Sequence, residues 1–186
     1  MKRFIIFILS FFLAVYSANS QSMSKTYVPD DSFEGYLETF GMGDGIPYND
    51  FVFTHNINTR TNINLHNVNP DISDLTGIED FTALEVLHCG YNQLTTLDLS
   101  NNSNLQELRC QNNQLTTLQL NTSLTFLNCK NNQLTNLDLS NNPSLSFLHC
   151  DNNQLTSLNV ANGNNTNFAI PSGITSVSPF RADGNP

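Results

Sequence analysis

The chain has 186 residues, 39% of them hydrophobic, and carries sixteen acidic against seven basic residues for a net charge of −9. A nucleic-acid binder or a protein held on anionic membrane needs a basic footprint, and this balance excludes both. Charged residues are only 12% of the chain, but leucine recurs too regularly for low-complexity disorder, and Asn, Ser and Thr supply the polarity instead.

The first twenty residues do not read as part of the fold. Lys2 and Arg3 precede an apolar run from Phe4 to Val15 broken only by Ser10, and the small residues Ala18 and Ser20 stand before Gln21. This is the layout of a secretory signal peptide over residues 1–20. A membrane anchor is the rival reading, but a span needs roughly 20 apolar residues and this run falls short. The expected location is therefore secreted, extracellular or cell-surface, with no membrane insertion once the signal is removed. Cleavage leaves five basic residues against sixteen acidic ones, a net −11.

Residues 21–83 read as an N-terminal cap with an irregular first repeat. Asp30, Asp31 or Ser32 can cap a short helix, with Phe33, Tyr36, Leu37 and Phe40 at helical spacing and Gly41, Gly43 and Gly45 to end it. The stretch from Phe51 to Leu65 alternates enough to supply the leading strands. Ile63 and Leu65 begin the irregular repeat, whose turn runs through Val68 and Pro70. The segment Gly41–Ile46 looks like the end of a calcium loop. With Gly45 as the obligatory glycine, however, the earlier ligand positions fall on Phe40 and Met42 and the twelfth on Phe51. Only Asp44 survives, with Asn49 and Asp50 nearby, so an acidic turn is expected and no metal site. His55 and His66 lie in this region without a partner that the sequence identifies.

From residue 84 to 165 the chain repeats itself. The stretches LEVLHCGYNQL, LQELRCQNNQL, LTFLNCKNNQL and LSFLHCDNNQL begin at Leu84, Leu105, Leu124 and Leu145 and share the pattern L-x-x-L-x-C-x-x-N-x-L. From Leu87 the steps to Leu108, Leu127 and Leu148 are 21, 19 and 21 residues. In L-x-L or L-x-C both apolar residues point to one side of an extended strand. One such strand per turn, stacked in parallel, makes a ribbon with one dry face. Asn92, Asn113, Asn132 and Asn153 then form a column where the strand ends. A buried amide offers donors and acceptors to the turning backbone, so the column should be a structural ladder. Its middle rungs should matter more than Asn92 or Asn153 at its ends. The second half of each turn, such as Leu94-Thr-Thr-Leu97-Asp-Leu99, is too short and too Thr-rich for a full helix and reads as extended or weakly strand-like.

These residues resemble the leucine-rich repeat in its bacterial, 21-residue, internalin-like form. The segment from Ser73 to Leu87, SDLTGIEDFTALEVL, looks like the leading segment of secreted members. The resemblance spans about Thr26 to Asn165. It implies an α/β leucine-rich-repeat solenoid, a right-handed superhelix, β-rich, with a parallel strand ribbon and a short N-terminal helical cap. Ligands across this family are diverse, so the resemblance names none.

Cys89, Cys110, Cys129 and Cys150 occupy the inward position where the family has Leu. They form a line and not the converging C-x-x-C of a zinc site. Two readings stay open. The thiols are buried and act as small apolar residues, or secretion lets Cys89 pair with Cys110 and Cys129 with Cys150. Parallel Cβ vectors at the roughly 4.8 Å strand spacing weigh toward the thiols. His88 and His149 stand three strands, roughly 14 Å, apart in one column and share no metal ion. His149 and Asp151 could share a loosely held cation, although polar residues on a solvated face are the plainer reading. No nucleophile elbow, H-E-x-x-H or phosphate loop is present, so the chain reads as no enzyme and requires no cofactor.

The recognition surface expected for this fold is the exposed face of the ribbon. One column is Val86, Glu107, Phe126 and Phe147. The next is His88, Arg109, Asn128 and His149. The third is Gly90, Gln111, Lys130 and Asp151, with Tyr91 beside it. Phe126 and Phe147, one above the other with Lys130 and His149 near, resemble a small hot spot. Two function classes follow: a secreted recognition module for a protein or a surface glycan, and a structural or spacer segment of a larger cell-surface adhesin. Residues 166–186 lose the period after Phe168 and Ile170. They read as a loose tail over the last repeat, or as the place where a longer protein is cut.

Overall fold

The computed structural model describes residues 24–161 and Gly163. The expectations for the signal peptide and for the tail lie outside the described residues.

Strand β1 (Lys25–Tyr27) pairs antiparallel with β2 (Phe51–Phe53), and helix α1 (Asp31–Thr39) lies between them in the chain. Asp30 is the N-cap of α1: its Oδ1 accepts the N–H groups of Ser32 and Phe33, both at 3.0 Å. Phe33 and Leu37 bury fully, whereas Phe40 is the C-cap and is 60% exposed. The fourth residue of the expected helical stripe therefore leaves the core, because the helix ends one residue before it. The stretch from Phe51 to Leu65 is not strand throughout. A single helical turn, α2 (Thr54–Ile57), separates β2 from β3 (Asn62–Asn64) and buries Ile57.

From β3 onward the chain coils as a parallel-strand solenoid. The front ribbon has five strands in the order β10 (Phe147–His149), β8 (Phe126–Asn128), β6 (Glu107–Arg109), β4 (Val86–His88) and β3. Its register is unbroken: Leu148, Leu127, Leu108, Leu87 and Ile63 stand in one row. The return legs are extended as expected. They form two short sheets, β5 (Thr96–Asp98) with β7 (Thr117–Gln119), and β9 (Asn136–Asp138) with β11 (Ser157–Asn159).

The gap between these outer sheets falls in the 19-residue turn. Five residues separate Leu99 from Leu105 and Leu139 from Leu145, but only three separate Leu120 from Leu124. The shorter connection displaces this return leg, and Leu118 and Leu120 are only half-buried while Leu97, Leu99, Leu137 and Leu139 are buried. One continuous core runs from the cap through the repeats, from Val28 and Phe33 to Leu158. Phe33 of the helix stacks on Phe81 of the segment before the first regular repeat, with ring centroids 6.3 Å apart. That contact closes the apolar end of the stack, which a solenoid must cover.

Candidate recognition surface on the strand ribbon

Each side-chain amide of the Asn column holds three stretches of backbone. Asn113 Nδ2 donates to the carbonyls of Cys89 and Cys110 at 3.0 and 3.1 Å, and its Oδ1 accepts the Leu94 N–H at 3.0 Å. Asn132 repeats this with Cys110, Cys129 and Leu115, and Asn153 with Cys129, Cys150 and Leu134. The expectation that Asn92 is a weak end rung is corrected. Its Nδ2 donates to Leu65 and Cys89, and its Oδ1 accepts from Ile72, so the cap supplies the missing neighbour. Asn153 alone of the four is not fully buried.

Two further Asn columns went unread in the sequence. Asn102, Asn121 and Asn142 are buried at the opposite corner, where their amides donate to backbone carbonyls of the preceding turn. Their signal was the N that follows L-D-L-S-N or L-Q-L, masked by the abundance of Asn around it. Asn112, Asn131 and Asn152, each before a ladder residue, take left-handed backbone at φ 55–56°. Asn131 Nδ2 donates to Asn112 Oδ1 at 2.8 Å, and Asn152 Nδ2 to Asn131 Oδ1 at 2.7 Å. Asn tolerates this conformation because its short polar side chain bonds locally. Tyr91 occupies the same position at φ 60° without that help, 47% exposed, its ring edge-on to His66 at 4.8 Å.

The four cysteines are free and buried in a line behind the ribbon. Burial without a countercharge disfavours the thiolate. It pushes the Cys89 thiol up to about 12 and the Cys150 thiol up to about 11, and holds Cys110 and Cys129 well above the usual thiol range. Fully enclosed, they pack behind the ribbon as small apolar side chains do.

On the exposed face, register places Val86, Glu107, Phe126 and Phe147 in one column and His88, Arg109, Asn128 and His149 in the next. The structure joins most of them into one connected array. Glu107 Oε1 accepts from Arg109 Nε at 2.6 Å and lies 2.9 Å from His88 Nε2. The Arg109 hydrogen bond, aided by His88, holds the Glu107 carboxyl below its usual range against a smaller opposing effect of burial. The Arg109 guanidinium sits over the Phe126 ring at 4.6 Å. Phe126 stacks on Phe147 with centroids 4.2 Å apart and planes 5° from parallel, and Phe147 meets the His149 ring at 4.4 Å. Phe147 is the more open of the two, 36% exposed.

Not every expected surface residue reaches solvent. Asn128 is only 8% exposed, a short side chain between the longer Arg109 and His149 of its column. Its Oδ1 accepts the Lys130 N–H at 3.4 Å. Gln111 is also buried, lying across Gly90: a Cβ built on Gly90 would stand 2.8 Å from Gln111 Nε2. Lys130 and Asp151 flank the array half-buried, and Tyr91 lies toward the cap, away from the phenylalanines.

In the cap, Asp44 accepts from Lys25 Nζ at 2.7 Å, from the Asn49 amide and from the Ile46 N–H, which makes the segment a hydrogen-bonded acidic turn. Among the described residues no helix is long and apolar enough to cross a membrane.

Residues 82–122 match the family model for leucine-rich repeats in two copies. The chain is 42% identical to Internalin J of Listeria monocytogenes serotype 4b (strain F2365) over 88 residues, which are 47% of this chain and 9% of that protein. It is also similar to the solved functional domain of InlJ from Listeria monocytogenes, which includes a cysteine ladder. That likeness has 38% sequence identity and a TM-score of 0.63, and covers 77% of this chain and 32% of the other. The chain thus spans a small part of the length of the relatives it matches.

Proposed function

Because the chain is an internalin-like leucine-rich-repeat protein, we propose that it is a secreted, non-enzymatic recognition module that binds a protein through the front ribbon. The observation that carries this reading is the array Glu107–Arg109–Phe126–Phe147–His149. Binding energy concentrates in Arg and aromatic side chains that are already held in place and surrounded by polar groups. Here the Phe126–Phe147 stack and the Arg109 guanidinium fix one another before any partner arrives. Little side-chain entropy is then left to lose on association. His88, Lys130 and Asp151 form the polar surround in this reading, and Val86 and Tyr91 extend the surface along the ribbon toward the cap. The four thiols and the Asn ladder keep the ribbon rigid beneath it. Non-enzymatic function is favoured by raised thiol pKa values, which remove the strongest nucleophiles, and by the lack of any catalytic motif in the sequence.

The test is a pull-down from extracellular extracts with Gln21–Pro186 beside the double variant Phe126→Asp/Phe147→Asp, both checked by circular dichroism for the same fold. A protein captured by the first and lost by the second supports the reading. Capture of a glycan instead would move the partner class. Equal capture by both, or none, would return the chain to the spacer role within a larger surface adhesin.

A further inference from the structure

Most of the large exposed hydrophobic residues of the described chain lie in the cap and not on the ribbon. Tyr27, Phe40, Ile46, Tyr48 and Phe51 are all large, exposed hydrophobic residues, against Tyr91 and Phe147 elsewhere. Two of them, Phe40 and Tyr48, line a groove of about 490 Å³ between the outer side of α1 and the turn through Val68 and Pro70. A groove walled by exposed aromatic rings is the kind of surface that marks interaction sites, and the volume lies in the roughly 300–1,000 Å³ range of ligand clefts.

The walls are aromatic. Tyr36 and Phe40, one helical turn apart, hold their rings 4.5 Å from each other at a 39° tilt. Tyr48 lines the same groove and is 72% exposed. The loop presenting it is unusual, because Tyr48 and Asp50 both take left-handed backbone, at φ 62° and 65°. Neither is a glycine, and such conformations cost of order 1–3 kcal/mol each. The charge in the groove has one sign. Asp31 lines it and no basic residue does. Carboxylate oxygens of Asp31, Glu34 and Asp50 lie within 4.8 Å of one another. Among the described residues, the ion pairs are Lys25–Asp44, His88–Glu107 and Arg109–Glu107, so none of these three carboxylates meets a cation. Glu34 is satisfied by the Asn49 and Asp50 N–H groups. Asp31, in the first turn of α1, is the charged residue lining the groove, and no cationic side chain of the described residues pairs with it.

We propose that this groove binds an extended, proline-bearing peptide segment that carries an arginine or lysine. Aromatic ridges accept polyproline-type backbones, which lose little entropy on docking. The cation settles beside Asp31 and against the aromatic faces, where ring and carboxylate attract it together. The site is separate from the ribbon, and its occupant need not be the ribbon's partner.

The experiment is a titration of the uniformly 15N-labelled chain, at physiological salt, with an acetylated decapeptide of alternating proline and arginine. A decapeptide of alternating proline and glutamine is the control. Saturable amide shifts are expected at Gly35, Thr39 and Asn69, with the glutamine peptide at least tenfold weaker. Asp31→Asn and, separately, Tyr48→Asn should each weaken the arginine peptide at least fivefold. Asn accepts the left-handed backbone at position 48, and both side chains are exposed, so both variants keep the fold. The proposal is overturned if no shift saturates, if shifts spread over the whole acidic surface, if the glutamine peptide binds equally, or if both variants bind like the parent. Shifts at these amides from a chito-oligosaccharide, with none from the arginine peptide, would also overturn it.

Discussion

Asn92 Oδ1 accepts the N–H of Ile72 at 3.0 Å, and through this bond the irregular first turn becomes a rung of the same ladder that runs through the regular repeats. Ile72 stands where Leu94, Leu115 and Leu134 stand on the later rungs. The N-terminal cap is thus part of the solenoid's backbone bonding as well as a lid over its apolar end.

The ladder should therefore be uneven at one end only. Asn92→Ala, Asn113→Ala and Asn132→Ala each leave buried backbone groups without partners, and each should cost about 2–3 kcal/mol in urea titration. Asn153→Ala should cost about 1 kcal/mol, because that rung is partly open to water. Near-zero losses at all four sites would refute the ladder as a source of stability.

Gly90 and Gln111 should be coupled. A Cβ at Gly90 meets Gln111 Nε2 at 2.8 Å, Cδ at 2.9 Å and the Gln111 carbonyl oxygen at 3.0 Å. Gly90→Ala should destabilise by about 1–3 kcal/mol, as overpacking does. Adding Gln111→Ala removes the side-chain clash but not the backbone one, so the double variant should recover part of the loss. Strict additivity in the denaturation cycle would show that the two residues do not touch in solution.

Asp30 should make the cap acid-sensitive. Burial works against its charge, but hydrogen bonds from Ser73, Phe33 and Asp74 outweigh this and hold its carboxyl below the usual 3.8. Besides capping α1, its Oδ2 accepts from the Ser73 N–H and hydroxyl at 2.8 Å. A depressed folded pKa adds stability that is present above the unfolded value and lost as pH falls through the folded one. Asp30→Ala should cost about 1–2 kcal/mol at pH 7. The gap in thermal midpoint between parent and variant should then shrink below pH 4. A gap unchanged from pH 7 to pH 2.5 would assign the loss to packing.

The thiols should behave in the opposite sense. Their folded pKa values lie above the 9.0 of a free thiol, so the stability they contribute is present below pH 9 and is lost as pH rises toward the folded values, about 12 for Cys89 and about 11 for Cys150. At pH 8 the folded protein should be silent to Ellman's reagent, and all four cysteines of the chain should react in guanidinium. Rapid reaction without denaturant would place at least one thiol at the surface. Fewer than four equivalents after unfolding would reveal a disulfide.

Some of the molecule was legible without coordinates. Gapless recurrence of L-x-x-L-x-C-x-x-N-x-L determined the parallel stack, its inward leucines and cysteines, and the column in which Phe126 meets Phe147. The reason is that side chains alternate strictly along a strand, so one copy of the motif per turn brings like positions together. The helix over Asp31–Thr39 was legible for a similar reason, since its cap and apolar spacing are local signals.

What only the tertiary structure decided was which polar residues leave the water. Asn128 and Gln111 share columns with half-exposed residues, but Asn128 lies between the longer Arg109 and His149 and Gln111 lies down across the bare Gly90, and sequence spacing carries no measure of either. The β1–β2 pairing joins Lys25 to Phe53 across a whole helix, and the cap groove is assembled from residues as far apart as Asp31 and Pro70. Neither follows a period, so both depend on how the cap docks onto the first coil. The repeats are determined by local rules applied over and over, whereas the cap and its charge are determined by contacts made once.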